Sequence, residues 1–258
     1  MVELIKKLTF IFILLVCQGK IFTQSIINTS SISSDLDSAF SLVLDVGGNF
    51  SRGNAKINNF DGNFGLGFSI RENSSLWIIG GINNLKSDDQ LIQRSSFLHL
   101  RYNQEINSIF TINLYSQYQE NEVLSIKNRL LYGINTRINL NEGGSSNLSL
   151  GGFYEYEQYN INESSKLFRL NIAGVTEHKL KNIEIIGFLF LQPSFEEISD
   201  FRGIGELNIR VPIINNLQIS ADLVSRFDSS PISSLKKLDT SLNFSFRYEI
   251  HKQRKESL

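Results

Sequence analysis

Apolar and polar residues alternate along most of this chain, and the alternation is clearest near its C-terminus. Leu242, Phe244, Phe246, Tyr248 and Ile250 are apolar or aromatic, while Asn243, Ser245, Arg247 and Glu249 between them are polar or charged. A period of two places one face of a β-strand in a greasy medium and the other in a wet one. The same sorting recurs upstream. Phe60, Phe64, Leu66, Phe68 and Ile70 oppose Asn59, Asp61, Asn63 and Ser69. Leu130, Tyr132, Ile134 and Ile138 oppose Arg129, Asn135 and Arg137. Leu217, Ile219, Ala221 and Leu223 oppose Gln218, Ser220, Asp222 and Arg226.

Twelve such segments pair as six hairpins: 39–51 with 56–70, 75–85 with 94–104, 109–119 with 127–140, 147–159 with 166–178, 183–192 with 201–211, and 216–227 with 238–250. The fifth hairpin's first strand, 183–192, is apolar on both faces. Connections within hairpins read as longer, for example 86–93, 120–125 and 228–237. Those between hairpins are tight and rich in Asn, Gly and Ser, which are turn residues. Pro193, Pro212 and Pro231 fall at strand ends or in loops, where a missing N–H does not interrupt a ladder. The pattern predicts a closed antiparallel up-and-down transmembrane β-barrel of twelve strands, with short turns on the periplasmic side and longer loops outside. An even strand number puts both termini at the periplasm.

Composition agrees with that class. A mean hydropathy near neutral suits a barrel whose strands turn one face to a polar lumen. Lys6 and Lys7 precede an apolar run from Leu8 to Cys17, too short to span as a helix, followed by a polar stretch to Gln24. This reads as a secretory signal over residues 1–24. Residues 25–37 then form a polar, serine-rich leader, 38–250 the barrel, and 251–258 a basic periplasmic tail. The only cysteine, Cys17, lies within the signal, and Val16 before it is bulkier than a lipid-attachment site prefers. The mature chain therefore has no disulfide and no thiol nucleophile. A net charge of −1 gives no footprint for nucleic acid. The expected partners are outer-membrane lipid and, during insertion, the barrel-assembly machinery. Trp77 and several tyrosines near strand ends are candidates for interfacial aromatic girdles.

Short motifs in a fixed order add a resemblance. They are Gly48-Asn49-Phe50-Ser51-Arg52-Gly53-Asn54, Phe60-Asp61-Gly62-Asn63-Phe64-Gly65-Leu66-Gly67, His99-Leu100-Arg101-Tyr102, Tyr115-Ser116-Gln117-Tyr118-Gln119-Glu120-Asn121 and Arg129-Leu130-Leu131-Tyr132-Gly133. Together they resemble the YdiY-like salt-induced outer-membrane proteins, domain of unknown function 481. The resemblance implies an outer-membrane barrel and brings no catalytic residues with it.

Candidate chemistry is sparse. The histidines are His99, His178 and His251, with no His-x-His or His-Glu-x-x-His spacing, so no metal site and no cofactor is expected. No Gly-x-Ser-x-Gly elbow is present. A barrel hydrolase of lipase type would need a Ser–His–polar set near one rim. The proposed lumen face is richer. It collects Arg101, Arg129, Arg137, Glu155, Glu157, Arg169, Glu206, Arg210, Asp222, Arg226 and Arg247, along with Asp45, Asp61, Glu177, Arg202 and Glu249. Arginine dominates the cations there, and its planar fork suits paired carboxylates. Arg101, Arg129 and Arg137 are expected to meet Glu155 and Glu157 across a narrow lumen. The matching expectation outside is that Leu242, Phe244, Phe246, Tyr248 and Ile250 face lipid. Three functions follow: a non-enzymatic envelope barrel or narrow passive channel, an outer-membrane hydrolase, or a soluble periplasmic lipid-binding barrel with its apolar face inward. Aromatic residues on the apolar face and alternating connection lengths favour the first.

Overall fold

A computed structural model describes residues 38–51, 57–87, 90–122, 124–141, 144–160, 163–231 and 236–253, together with Thr29. The expected signal at 1–24, the leader at 25–37 apart from Thr29, and the end of the tail lie outside the described residues.

Alternation becomes twelve strands: β1 Ser38–Ser51, β2 Ile57–Arg71, β3 Ser74–Ser87, β4 Gln90–Glu105, β5 Phe110–Asn121, β6 Ile126–Asn139, β7 Ser146–Tyr159, β8 Ser164–Leu180, β9 Ile183–Pro193, β10 Phe201–Ile214, β11 Leu217–Asp228 and β12 Leu238–Gln253. Each pairs antiparallel with its sequence neighbours, and β1 pairs with β12 to close the barrel. Closure leaves no unpaired edge, which is what lets strands cross a medium without water. The shortest strand, β9, has 11 residues. At about 3.3 Å per residue and a tilt of about 40°, that reaches roughly 28 Å, enough for the apolar band of an outer-membrane barrel. No helix among the described residues is long and apolar enough to cross a membrane.

Register fixes the faces. Across the closing seam Leu42 meets Ile250, Leu44 meets Tyr248 and Val46 meets Phe246, all outward; Asp45 meets Arg247 inward. Phe244 is 63% exposed, and Leu242, Phe246 and Tyr248 are exposed beside it, with Ile250 half-buried at the end of the row. Outward apolar residues recur around the circumference, among them Phe60, Leu98, Ile134, Leu150, Phe168, Leu189 and Ile219. A contiguous apolar surface of this extent needs an apolar partner. The apolar face is therefore the outer one, opposite to the arrangement a soluble lipid-binding barrel requires.

The start of β1 and the end of β12 lie at one rim, here called the terminus end; the hairpins β1–β2 through β11–β12 close the opposite rim, the loop end. Four sequence expectations are corrected. β3 and β4 continue to Ser87 and Gln90, so the expected loop 86–93 shrinks to two residues. β12 runs on to Gln253 because His251 and Lys252 pair with Ser41 and Phe40, so the basic tail begins as strand. Pro212 lies within β10, where residues beyond Arg210 pair with β11 only. Trp77 is not in an outer girdle. It is an odd-numbered residue of β3, faces inward and is fully buried with Val43 and Ile79, against which half-buried Phe97 packs. Its indole lies over Gly67, where an added Cβ would come within 2.8 Å of the ring.

Candidate functional site in the lumen

The inward faces hold two features, an ion-pair network near the loop end and a cavity that opens at the terminus end. The network starts from register. Arg129 on β6 sits opposite Glu157 on β7, and Arg202 on β10 sits opposite Asp228 on β11. Each begins as an ordinary cross-strand pair of opposite charge. Arg129 Nε lies 3.1 Å from Glu157 Oε1, and its Nη2 pairs closely with Glu155. Arg202 Nε lies 3.1 Å from Asp228 Oδ2.

Arg202 also reaches across the barrel. Its Nη1 is 2.9 Å from Glu155 Oε2 and its Nη2 is 3.1 Å from Glu157 Oε2. These carboxylates stand on β7, with β8 and β9 between them and β10. Arg169 on β8 fills the interval, with Nε 3.4 Å from Glu155 Oε1 and Nη2 2.9 Å from Asp200 Oδ2 in the β9–β10 loop. It donates further to the backbone oxygens of Gln192 and Asp200. The Tyr159 hydroxyl donates to Glu157. Arg129, Glu155 and Glu157 are each no more than 1% exposed. A water-filled channel would leave such inward groups accessible. Burial of charges is tolerable here because each carboxylate is held by arginines in several directions; losing one partner would leave charge buried without compensation.

Other lumen charges settle into separate groups. Arg247 Nη1 is 3.0 Å from Asp45 Oδ2 and pairs closely with Glu249. Arg210 Nη1 is 3.2 Å from Glu184 Oε2, and Lys179 approaches the other oxygen of the same carboxylate, Oε1. Asn208 donates to Glu206 and Asp222, and Ser220 also donates to Asp222. Arg226 stands opposite Asp239 in register. Every expected lumen residue is on the inward face, but they do not form one set. Arg129 meets Glu155 and Glu157; Arg101 and Arg137 do not join them. In register Arg101 faces Trp77 and Tyr115, and Arg137 faces Thr111 and Ser149, all uncharged. Arg137 Nη2 donates to Thr111 Oγ1 at 3.3 Å.

Sequence reasoning also missed the roles of Asp200 and Asp228. Asp200 is in a loop, where alternation carries no information. Asp228 is the last residue of β11, so continuing the even-position count past Arg226 finds it. Glu184 was hidden because β9 is apolar on both faces and its inward side could not be read.

The cavity measures about 1010 Å³. Turn residues Ser145, Lys181 and Asn182, with Pro212 and His251, mark its opening at the terminus end, and it ends inward at Arg129, Phe153 and Gln192. Thr29, from the segment before β1, is buried and lines it. His99 is 5% exposed, with Nδ1 3.0 Å from Gln117 Oε1 and its ring stacked on Tyr115. Gly133 makes room for Tyr115, since an added Cβ would sit 2.3 Å from that ring.

One Ser–His–Glu chain occurs near the terminus rim. Ser41 Oγ is 2.9 Å from His251 Nδ1, and His251 Nε2 is 3.3 Å from Glu249 Oε2. Ser41 is 1% exposed and its strand is paired on both sides, with His251 and Gly67 as register partners. A nucleophile needs access and nearby free N–H donors to hold an oxyanion. The ladder on both sides of Ser41 engages the local backbone.

No curated protein matches the sequence. Among solved structures, the fold is similar to a KdgM porin in complex with disordered oligogalacturonate (TM-score 0.50, 10% identity, covering 82% of this chain and 99% of that one). It is also similar to the translocator domain of autotransporter NalP from Neisseria meningitidis (TM-score 0.48, 11% identity, 88% and 92% covered). A third is the NanC porin (TM-score 0.48, 9% identity, 82% and 100% covered). At these identities the likeness speaks to fold alone, that of a membrane barrel. The model of one family, described as "Protein of unknown function, DUF481", matches residues 44–250, and the chain belongs to that family.

Proposed function

We propose that this chain is a non-enzymatic outer-membrane barrel of a Gram-negative envelope, with its termini in the periplasm and its lumen braced shut at the loop end. Its role is structural, or that of a narrow passive channel that admits water and small ions at most. The observation that carries this reading is Arg202, which joins β10 and β11 to Glu155 and Glu157 on the far side of two intervening strands. Such pairs rigidify the wall and occupy the space a solute would use. The outward apolar band supports outer-membrane lipid as the surrounding medium, and the barrel-assembly machinery as the partner during insertion.

Efflux of a small sugar from proteoliposomes tests the reading. Wild-type protein retains the sugar, and Arg129→Ala or Glu155→Ala releases it. Rapid efflux through wild type would defeat the proposal.

The hydrolase reading rests on Ser41, His251 and Glu249. Buried Ser41 disfavours it. Labelling of folded protein by a fluorophosphonate, abolished in Ser41→Ala, would revive it.

A further inference from the structure

The lumen wall changes character around its circumference. Between β6 and β10 it is bulky. The Arg202 network fills it toward the loop end, and the cavity wall from β7 to β9 is apolar, with Phe153, Ala173, Ile186 and Phe188 inward. Neither surface suits the passage of an ion. On β11, β12, β1 and β2 the inward positions at mid-barrel are small and polar, among them Ser220, Asn243, Ser245, Gly47 and Asn63.

This second side is wet in its loop-end half. Asn243 is exposed although it points inward, and Asp61 and Asp222 are partly exposed beside it, whereas the carboxylates of the Arg202 network are sealed. Asp61 makes no ion pair or hydrogen bond among the described residues; Asp45, Asp222 and Arg226 are the charges near enough to act on it. Asp222 accepts from the uncharged Asn208 and Ser220. An inward carboxylate that no cation grips needs water or mobile counterions around it.

Register shows how little separates this wet space from the cavity. Gln218 and Arg247 pair, and both line the cavity. The next inward pair toward the loop end is Ser220 with Ser245, and the one after it is Asp222 with Asn243. Gly47 stands beside Ser245, and Asp61 beside Gly47. From Arg247 to Asn243 is four residues, about 13–14 Å along the strand. One layer of two serines and a glycine fills that interval. The larger obstacle is Arg247 itself, held across the seam with Nη1 3.0 Å from Asp45 Oδ2.

We infer that the Asp45–Arg247 pair is the gate of a narrow cation path that runs along β11, β12, β1 and β2 and joins the loop-end half of the lumen to the cavity, with Asp61 and Asp222 selecting cations on its loop-end side. Carboxylates lining a narrow passage favour cations. The inference deepens the reading of the barrel as a narrow passive channel and rests on it.

Planar-bilayer recording of the full chain under a potassium chloride gradient tests it, once heat-modifiable gel migration has shown each variant to be folded. The expected result is small steps that carry potassium at least about fivefold better than chloride, the factor that one unit charge about 4 Å away gives even in bulk water. Asp61→Asn combined with Asp222→Asn removes the preference. Arg247→Ala, or the milder Arg247→Gln, enlarges the steps and leaves them cation-selective. Ser245→Phe, which removes no charge and fills the serine layer, abolishes them. A silent wild type with cation-selective steps in either Arg247 variant would equally support the gate. Chloride preference, or a potassium preference unmoved by the aspartate variant, would overturn the inference, as would steps unchanged by the Arg247 variants and by Ser245→Phe. Silence in wild type and in both Arg247 variants would overturn the path and leave the closed lumen standing. Large, solute-permeable conductance from wild type would refute the closed lumen itself.

Discussion

Replacing Arg202 by alanine should be the most damaging single change in the lumen. In the folded barrel Arg202 contacts Glu155, Glu157 and Asp228, all essentially inaccessible to water. Without it, Arg129 and Arg169 are left to balance Glu155, Glu157, Asp200 and Asp228. Glu155 would keep both remaining arginines, and Glu157 would keep Arg129 and the Tyr159 hydroxyl. Among the described residues, the Asp228 side chain would keep only the Ser230 backbone N–H. Removing one partner of a buried pair costs about 3–5 kcal/mol, because the other charge stays buried. Urea unfolding in lipid vesicles, followed by tryptophan emission from Trp77, measures the loss. The double variant Arg202→Ala with Asp228→Ala should recover part of it, since the stranded carboxylate is gone. A loss below about 1 kcal/mol, the value of an exposed pair, would refute the claim that this network is buried and braces the wall.

Further outcomes follow from the same geometry. Phe244→Arg places a charge on the outward row and should destabilise the barrel by about 2–4 kcal/mol if it lies near the membrane midplane, read by the same unfolding assay. Gly133→Ala puts a Cβ into the Tyr115 ring and should cost about 1–3 kcal/mol through forced repacking; a Tyr115→Ala background should relieve it. In the β9–β10 loop, the Glu196 carboxylate is held below its ordinary value of 4.5 by its own backbone N–H and by the Ser194 hydroxyl. A depressed folded value means this contribution is present above the unfolded value and lost as pH falls through the folded one. Amide protection at residues 194–200 should therefore hold from neutral pH down to about 4.5 and decline below it; a Glu196 titration at or above 4.5 by NMR would contradict the arrangement.

Strand number, strand order and the inside–outside sorting were legible because period-two alternation is a local signal. The run from Leu242 to Ile250 is enough to set the face of β12, and closure then imposes its register on β1. What was illegible depends on side chains that local patterning cannot place. Trp77 looked like a girdle residue because tryptophan favours interfaces; its inward position follows from parity within β3, where Leu76 and Ile78 take the outer face. Alternation could assign the arginines to a face but could not say which carboxylates they would meet. Arg129, Arg137 and Arg101 share a face, yet Arg129 and Arg137 stand eight residues apart on β6 and Arg101 is level with Gly133 between them, so only Arg129 is at the height of Glu155 and Glu157; the further partner is Arg202, three strands from Glu155. The apolar wall of the cavity was hidden for a related reason. β9 has no polar face, so parity could not separate Ile186 and Phe188 from Leu189 and Leu191.

The closed lumen is the central claim, and single-channel recording in planar bilayers tests it most directly. Wild-type protein, verified as folded by heat-modifiable migration, should give a silent trace or at most small ionic steps, and Arg202→Ala should add larger, long-lived openings. Large, stable conductance from wild type, unchanged by Arg202→Ala, would contradict the account.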